Sequence, residues 1–129
     1  MERKIIGTAA FLGITAIILG AFGAHALKNY LTVEQLVSFE TGVRYQMYHA
    51  LFLLFLGLSN TYLSEKTKKQ IYGLVVLGVS FFSISIYLLT TKSVTGIDFK
   101  FLGPITPIGG TLLIAAWIVL FVQIMKKKI

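Results

Sequence analysis

The chain has 129 residues, 56% of them hydrophobic, and a mean hydropathy of +0.81; a water-soluble domain of this size cannot hide so much apolar surface, so lipid is the expected solvent. The absence of cysteine excludes disulfides, iron–sulfur clusters, thiolate zinc sites and cysteine nucleophiles. The formal charge of +7 gathers at the ends of apolar runs, and no loop mixes basic and aromatic residues over a long stretch, so no nucleic-acid partner is expected.

A membrane helix needs roughly 20 mostly apolar residues. Residues 5–27 meet this requirement after Arg3 and Lys4. Ala24-His25-Ala26 loosely resembles a signal-peptide cleavage site, but the apolar run exceeds the usual ~7–15 residues of a signal core, and a retained helix is expected. The first outer loop carries Thr32-Val33-Glu34-Gln35, a capping-box pattern that predicts a helix starting at Val33. This is expected to be a short outer helix at the interface, or to run on into helix two, with Gly42 as a bend. The apolar core of segment two, residues 50–58, is too short to cross alone. Its span is therefore placed at about 43–63, which draws Arg44, Gln46 and His49 into the outer interfacial region or deeper. Residues 71–91 form the third span and 105–125 the fourth. Before the fourth, Gly103-Pro104-Ile105-Thr106-Pro107-Ile108-Gly109-Gly110 predicts an irregular start, with the helix beginning at Pro104 or Pro107.

Basic residues at the helix ends set the orientation. Arg3, Lys4, Lys66, Lys68, Lys69, Lys126, Lys127 and Lys128 lie on one side, and Lys28, Arg44, Lys92 and Lys100 on the other. The expected fold is thus all-α, a single integral membrane domain over 1–129. It is a four-transmembrane-helix bundle with both termini cytoplasmic.

Small residues at Ala9, Gly13, Ala16, Gly20 and Ala24 fall on one stripe of helix one at 100° per residue. Such stripes let membrane helices approach closely. Packing within one subunit is favoured here over an oligomer interface, although a homo-oligomer stays open. Gly109 and Gly110 are expected to play the same part in helix four, and Trp117 lies deep enough to be a packing residue rather than an interfacial anchor.

The chemistry-bearing residues gather at the outer end of helix two. Glu40, Arg44 and Tyr48, spaced by four, share a face, and Tyr45 and His49 share the adjoining one. Glu40 and Arg44 stand in the favourable order for an i,i+4 ion pair, and Tyr48 can cover the guanidinium. His25, at the outer end of helix one, is expected at a similar depth, where it could meet His49.

Three stretches, Gly20-Ala21-Phe22-Gly23-Ala24-His25, Phe39-Glu40-Thr41-Gly42-Val43-Arg44-Tyr45-Gln46-Met47-Tyr48-His49-Ala50 and Ile105-Thr106-Pro107-Ile108-Gly109-Gly110, resemble the YgdD/YwdK family over the whole chain. These are small four-helix bacterial membrane proteins with eukaryotic relatives and no established activity. The chain departs from the family pattern at Ala26 and Ile84, where glycine is common; neither touches the charged cluster. The resemblance implies that His25, Glu40, Arg44, Tyr45, Tyr48, His49 and the 106–110 turn, Thr106 included, are signature positions.

Several readings of the cluster follow. It is structural, tying the first outer loop to the Thr106-Pro107 turn. Or it lines a site for a small ligand, a lipid or an ion, with Arg44 facing an anion and the amides near Gly109-Gly110 assisting; a transporter of four helices would then work as an oligomer. His25 and His49 as haem or metal ligands is a weaker reading, and Glu40 with His49 as acid and base weaker still, since they face opposite sides of a regular helix. No cofactor, metal or catalytic set is expected. The bilayer itself, anionic lipid headgroups at the basic cytoplasmic edge and a membrane-assembly partner complete the list of candidates.

Overall fold

A computed structural model describes residues 1–59 and 61–126. Asn60, inside the expected second span, and Lys127 and Lys128, counted in the basic tail, lie outside the described residues. The chain folds into α1 (Glu2–His25), α2 (Val33–Leu58), α3 (Glu65–Val79), a π-helical turn (Ser80–Ile84), α4 (Ser85–Thr90), α5 (Lys92–Thr95) and α6 (Ile105–Lys126), with 3-10 turns at Leu27–Asn29 and Lys100–Leu102. The described residues contain helix and no strand, and three helices are long and apolar enough to cross a membrane: Glu2–His25, Glu65–Thr90 and Lys100–Lys126.

Of the two arrangements expected before helix two, the helix that starts at Val33 runs on into it, and no separate short outer helix precedes it. The Thr32 capping box forms, with Gln35 N donating to Thr32 Oγ1 at 3.1 Å and Thr32 N donating to Gln35 Oε1 at 3.0 Å, and the helix then runs unbroken to Leu58. Gly42 is not a bend. It is buried where a Cβ would come within 2.9 Å of Tyr87, so its small size serves contact rather than conformation. At the other end α2 stops at Ser59 rather than continuing to residue 63. The helix is thus shifted toward the N-terminal side of the 43–63 span, with its start set by the Thr32 cap.

α2 lies antiparallel to α1 along its length. The register is marked by Gly23 against Phe39, Gly20 against Val43, and Gly57 against Ile6. The small stripe of α1 therefore serves packing within the chain through Ala9, Ala16 and Gly23, which are buried. A Cβ at Gly13 would meet nothing within 4 Å and Ala24 is exposed, so the contact stripe turns to Gly23 at the C-terminal end of α1.

α3 and α6 form the second pair. A Cβ at Gly78 would meet Leu113, and one at Gly109 would run into the backbone of Phe81 and Phe82. That close approach coincides with the π turn. A π turn releases carbonyls from the regular ladder, and Ser85 Oγ lies 2.5 Å from the Phe81 carbonyl and 3.0 Å from that of Phe82. α6 begins at Ile105, directly after Pro104. Pro107 falls in its first turn, where a missing N–H costs nothing. Gly109 and Gly110 are thus inside a regular helix, and their amides are not presented to an anion as a broken start would have them.

The largest core cluster joins Ile5 and Ala9 of α1, Phe52, Leu53 and Leu56 of α2, Ile71, Val75 and Val79 of α3, and Leu113 and Ala116 of α6. A smaller one at the other end centres on Leu27, Leu31 and Phe39. Both described ends of the chain lie at the same end of the bundle. Lys68 Nζ, fully buried, stands 3.8 Å from Glu2 of α1 and 3.8 Å from Glu65 of its own helix, and Lys126 borders a cavity with Ser64 and Thr67. At the opposite end Ser93 Oγ donates to the Tyr30 carbonyl at 2.8 Å and joins the two outer connections.

Candidate functional site

The 3.6-residue period divides α2 into two stripes. Phe39, Gly42, Gln46, His49, Leu53 and Leu56 are buried. Glu40, Arg44, Tyr48, Leu51 and Phe55 are exposed. Each stripe carries its own polar group, and the two differ in kind.

On the buried stripe Gln46, only 4% exposed, binds three neighbours. Its Nε2 donates to the Leu12 carbonyl at 2.9 Å and to Thr15 Oγ1 at 2.6 Å. Its Oε1 accepts from Tyr87 Oη at 2.7 Å. One side chain thereby links α1, α2 and α4 in the middle of the bundle. One turn outward, Ser83 Oγ donates to the Gly42 carbonyl at 2.8 Å. One turn inward, His49 Nδ1 lies 2.7 Å from the Tyr45 carbonyl and His49 Nε2 lies 3.1 Å from Trp117 Nε1. A carbonyl can only accept and an indole N–H can only donate. The imidazole is therefore the neutral tautomer with its proton on Nδ1. Trp117 also packs edge-on against Phe52, with ring centroids 4.2 Å apart, while about half of its surface stays exposed.

On the exposed stripe the expected Glu40–Arg44 ion pair is not made. Arg44 Nη2 donates instead to Thr41 Oγ1 at 3.2 Å. Helical side chains lean toward their own N-terminus, so Arg44 reaches back one turn along α2 to Thr41. Tyr48 is 52% exposed. Tyr45 lies against Phe82 at 4.9 Å and against Tyr48 at 5.6 Å between centroids. Beside this strip opens a cavity of about 410 Å³ bordered by Ser38, Thr41, Phe82, Ile86, Thr90 and Thr106.

Two further expected partners lie elsewhere. Thr106 pairs with Ser85 Oγ at 2.5 Å, not with the Glu40–Arg44 strip, and so fastens α6 to α4. His25 is exposed at the end of α1, whereas His49 is buried level with the Leu12–Gly13 turn. At 1.5 Å per residue that is about 18 Å apart along the axis, so the histidines do not form a site together. His49 lies deeper than His25 because α2 starts at Val33 and carries His49 to the middle of the bundle.

Sequence reasoning did not single out Thr15, Ser83 or Tyr87 as partners. The usable signal was Gln46 itself, since an amide at span depth must find donors and acceptors on neighbouring helices.

Comparison with known proteins gives the same assignment from several directions. Residues 19–110 match the family described as "Protein of unknown function (DUF423)". The UPF0382 membrane protein YwdK of Bacillus subtilis is 40% identical over 125 residues, covering 96% of this chain and 98% of the relative. A UPF0382 membrane protein of Staphylococcus saprophyticus is 37% identical, with 96% and 98% covered, and one of Haemophilus influenzae is 34% identical, with 99% and 98% covered. No solved structure matches significantly. The chain belongs to the DUF423 family and is, like these relatives, an integral membrane protein whose family carries no assigned biochemical function.

Proposed function

We propose that this is a four-span protein of the bacterial plasma membrane, with both termini cytoplasmic, that binds an anionic phospholipid of the outer leaflet at Arg44. Four crossings are supported by the antiparallel course of α2 along α1 and by the location of both described ends at one end of the bundle, which requires an even number. The inside assignment rests on the basic residues gathered there, Arg3, Lys4, Lys66, Lys68, Lys69 and Lys126 among the described ones.

The observation that carries the lipid reading is Arg44 itself. Its guanidinium sits on the exposed stripe of α2, about 9 Å inward of the outer end of α1 by helical rise. Among the described residues its hydrogen-bond partner is one hydroxyl, Thr41. A guanidinium has five N–H donors in a planar fork that matches a phosphate. At the edge of hydrocarbon an arginine lacking an acidic partner is costly unless it reaches headgroups. Leaning outward, Arg44 meets the phosphate layer, and the adjoining cavity of about 410 Å³ accepts the upper part of an acyl chain.

The test is native mass spectrometry of protein extracted from membranes containing phosphatidylglycerol and phosphatidylethanolamine. Wild type should retain phosphatidylglycerol, Arg44→Gln should lose it, and Glu40→Gln, which removes a competing carboxylate one turn away, should hold it more tightly. Equal retention by wild type and Arg44→Gln would overturn the reading.

A further inference from the structure

A second opening lies on the other side of α2, in the middle of the bundle. α1 and α3 meet at their inner ends, where Thr8 Oγ1 and Tyr72 Oη are 2.8 Å apart. Farther out they leave a lateral groove of about 360 Å³ between Phe11, Leu19, Val76 and Ile84, floored by Gln46 and Tyr87. It opens toward lipid, runs alongside the π turn, and falls within the ~300–1,000 Å³ of small-molecule pockets. π turns are frequent at functional sites.

The hydrogen-bond bookkeeping of this floor determines what it can bind. Leu12 O is a carbonyl, so the Gln46 atom facing it must be Nε2, and both Nε2 protons go to Leu12 O and Thr15 Oγ1. Thr15 must then spend its own proton on the carbonyl of Phe11 or Leu12. Gln46 Oε1 takes the proton of Tyr87. Ser80 donates to Val76 O at 2.8 Å. Thr8 donates to Lys4 O at 2.9 Å, so the Thr8–Tyr72 bond uses the tyrosine proton. Every proton on these side chains is committed, and Tyr87 Oη also has the Ser83 hydroxyl as a partner, while Ser80 Oγ and Gln46 Oε1 keep lone pairs. The groove is apolar along its walls and offers acceptors without donors.

We infer that the groove binds a neutral, membrane-dissolved molecule that carries a free aliphatic hydroxyl, which donates to Ser80 Oγ while its chain lies between α1 and α3. Esters, ethers and quinones, which only accept, have no partner there. A phospholipid headgroup is excluded from this depth by its charge. The hydroxyl could belong to a long-chain alcohol or to a diacylglycerol; the site chemistry is the same for both. This site is separate from the Arg44 strip.

The experiment uses the full chain in nanodiscs of phosphatidylcholine, which leaves Arg44 without its anionic ligand. A long-chain alcohol bearing a diazirine in the chain is photolysed and the labelled peptides are mapped. Labelling is expected within residues 11–19 or 76–87, with hexadecanol competing about tenfold better than its methyl ether, the value of one buried hydrogen bond. Dioleoylglycerol as competitor distinguishes the two sources: protection by it assigns the site to diacylglycerol as well, and its failure restricts the site to single-chain alcohols. Val76→Trp should fill the groove and abolish labelling; if that variant does not fold, Leu19→Trp fills it from the opposite wall. Equal competition by alcohol and ether, labelling scattered over lipid-facing peptides, or a disulfide between two Thr15→Cys copies showing that a second chain covers the groove, would each overturn the inference.

Discussion

Gln46 and Arg44 stand two residues apart on one helix and lead opposite lives. Gln46 faces inward, and its amide is saturated by Leu12, Thr15 and Tyr87. Arg44 faces outward, and its fork is mostly free of protein partners among the described residues. A saturated polar group buried between helices specifies how those helices fit. An unsaturated one on the outer stripe needs something the protein does not supply. Polarity at membrane depth is therefore not one signal; what decides its meaning is whether neighbouring helices complete its hydrogen bonds.

The contrast is breakable at several points. The largest effect is expected at the backbone contact between α6 and the π turn. Gly109→Val would force α6 off the Phe81–Phe82 backbone and should cost about 3 kcal/mol, at the upper end of overpacking penalties, measured by titration with sodium dodecyl sulfate in mixed micelles. An unchanged midpoint would mean that α6 does not seat on the π turn. Gln46→Leu comes next. It removes three hydrogen bonds, each worth about 0.6 kcal/mol between membrane helices, so about 2 kcal/mol should be lost. Combining it with Tyr87→Phe should then cost less than the sum of the two singles, and strict additivity would count against the bond between them. His49→Phe keeps a flat ring beside Phe52 but removes the acceptor of Trp117. About 1 kcal/mol of destabilisation is expected, and because Trp117 is the sole tryptophan, its fluorescence emission should shift as the indole loses its partner. An emission spectrum identical to wild type would show that the bond does not form. Arg44→Gln should have the smallest effect on stability, within about 0.5 kcal/mol as for exposed positions, while changing lipid retention. A loss as large as that of Gln46→Leu would move Arg44 to the structural side of the comparison.

Much of the architecture could be read before any coordinates. The apolar runs at 5–27, 71–91 and 105–125 correspond to three helices long and apolar enough to cross a membrane, and Thr32 and Gln35 announced the start of α2 at Val33. The candidate site was harder. The motif around residues 39–50 is recognisable, but its pairings are made with residues that the spacing does not indicate, Thr41 for Arg44 and Trp117 for His49. Spacing by four places Glu40 and Arg44 on one face but does not choose between a carboxylate and the Thr41 hydroxyl as the arginine's partner. Likewise His25 and His49 were matched in depth only by assuming that span two begins near residue 43. Moving the helix start to Val33 pushed His49 inward to Trp117, a residue 68 positions away in the chain.

The sequence by itself determined the solvent, the helical class and most helix limits, because these follow from local composition, from caps and from the length needed to cross hydrocarbon. Only the tertiary structure decided which polar groups are spent and which are free. A hydrogen bond between helices depends on register, rotation and approach, and these are set by distant residues such as Gly42, Gly57 and Gly109 that permit the contact without announcing their partners.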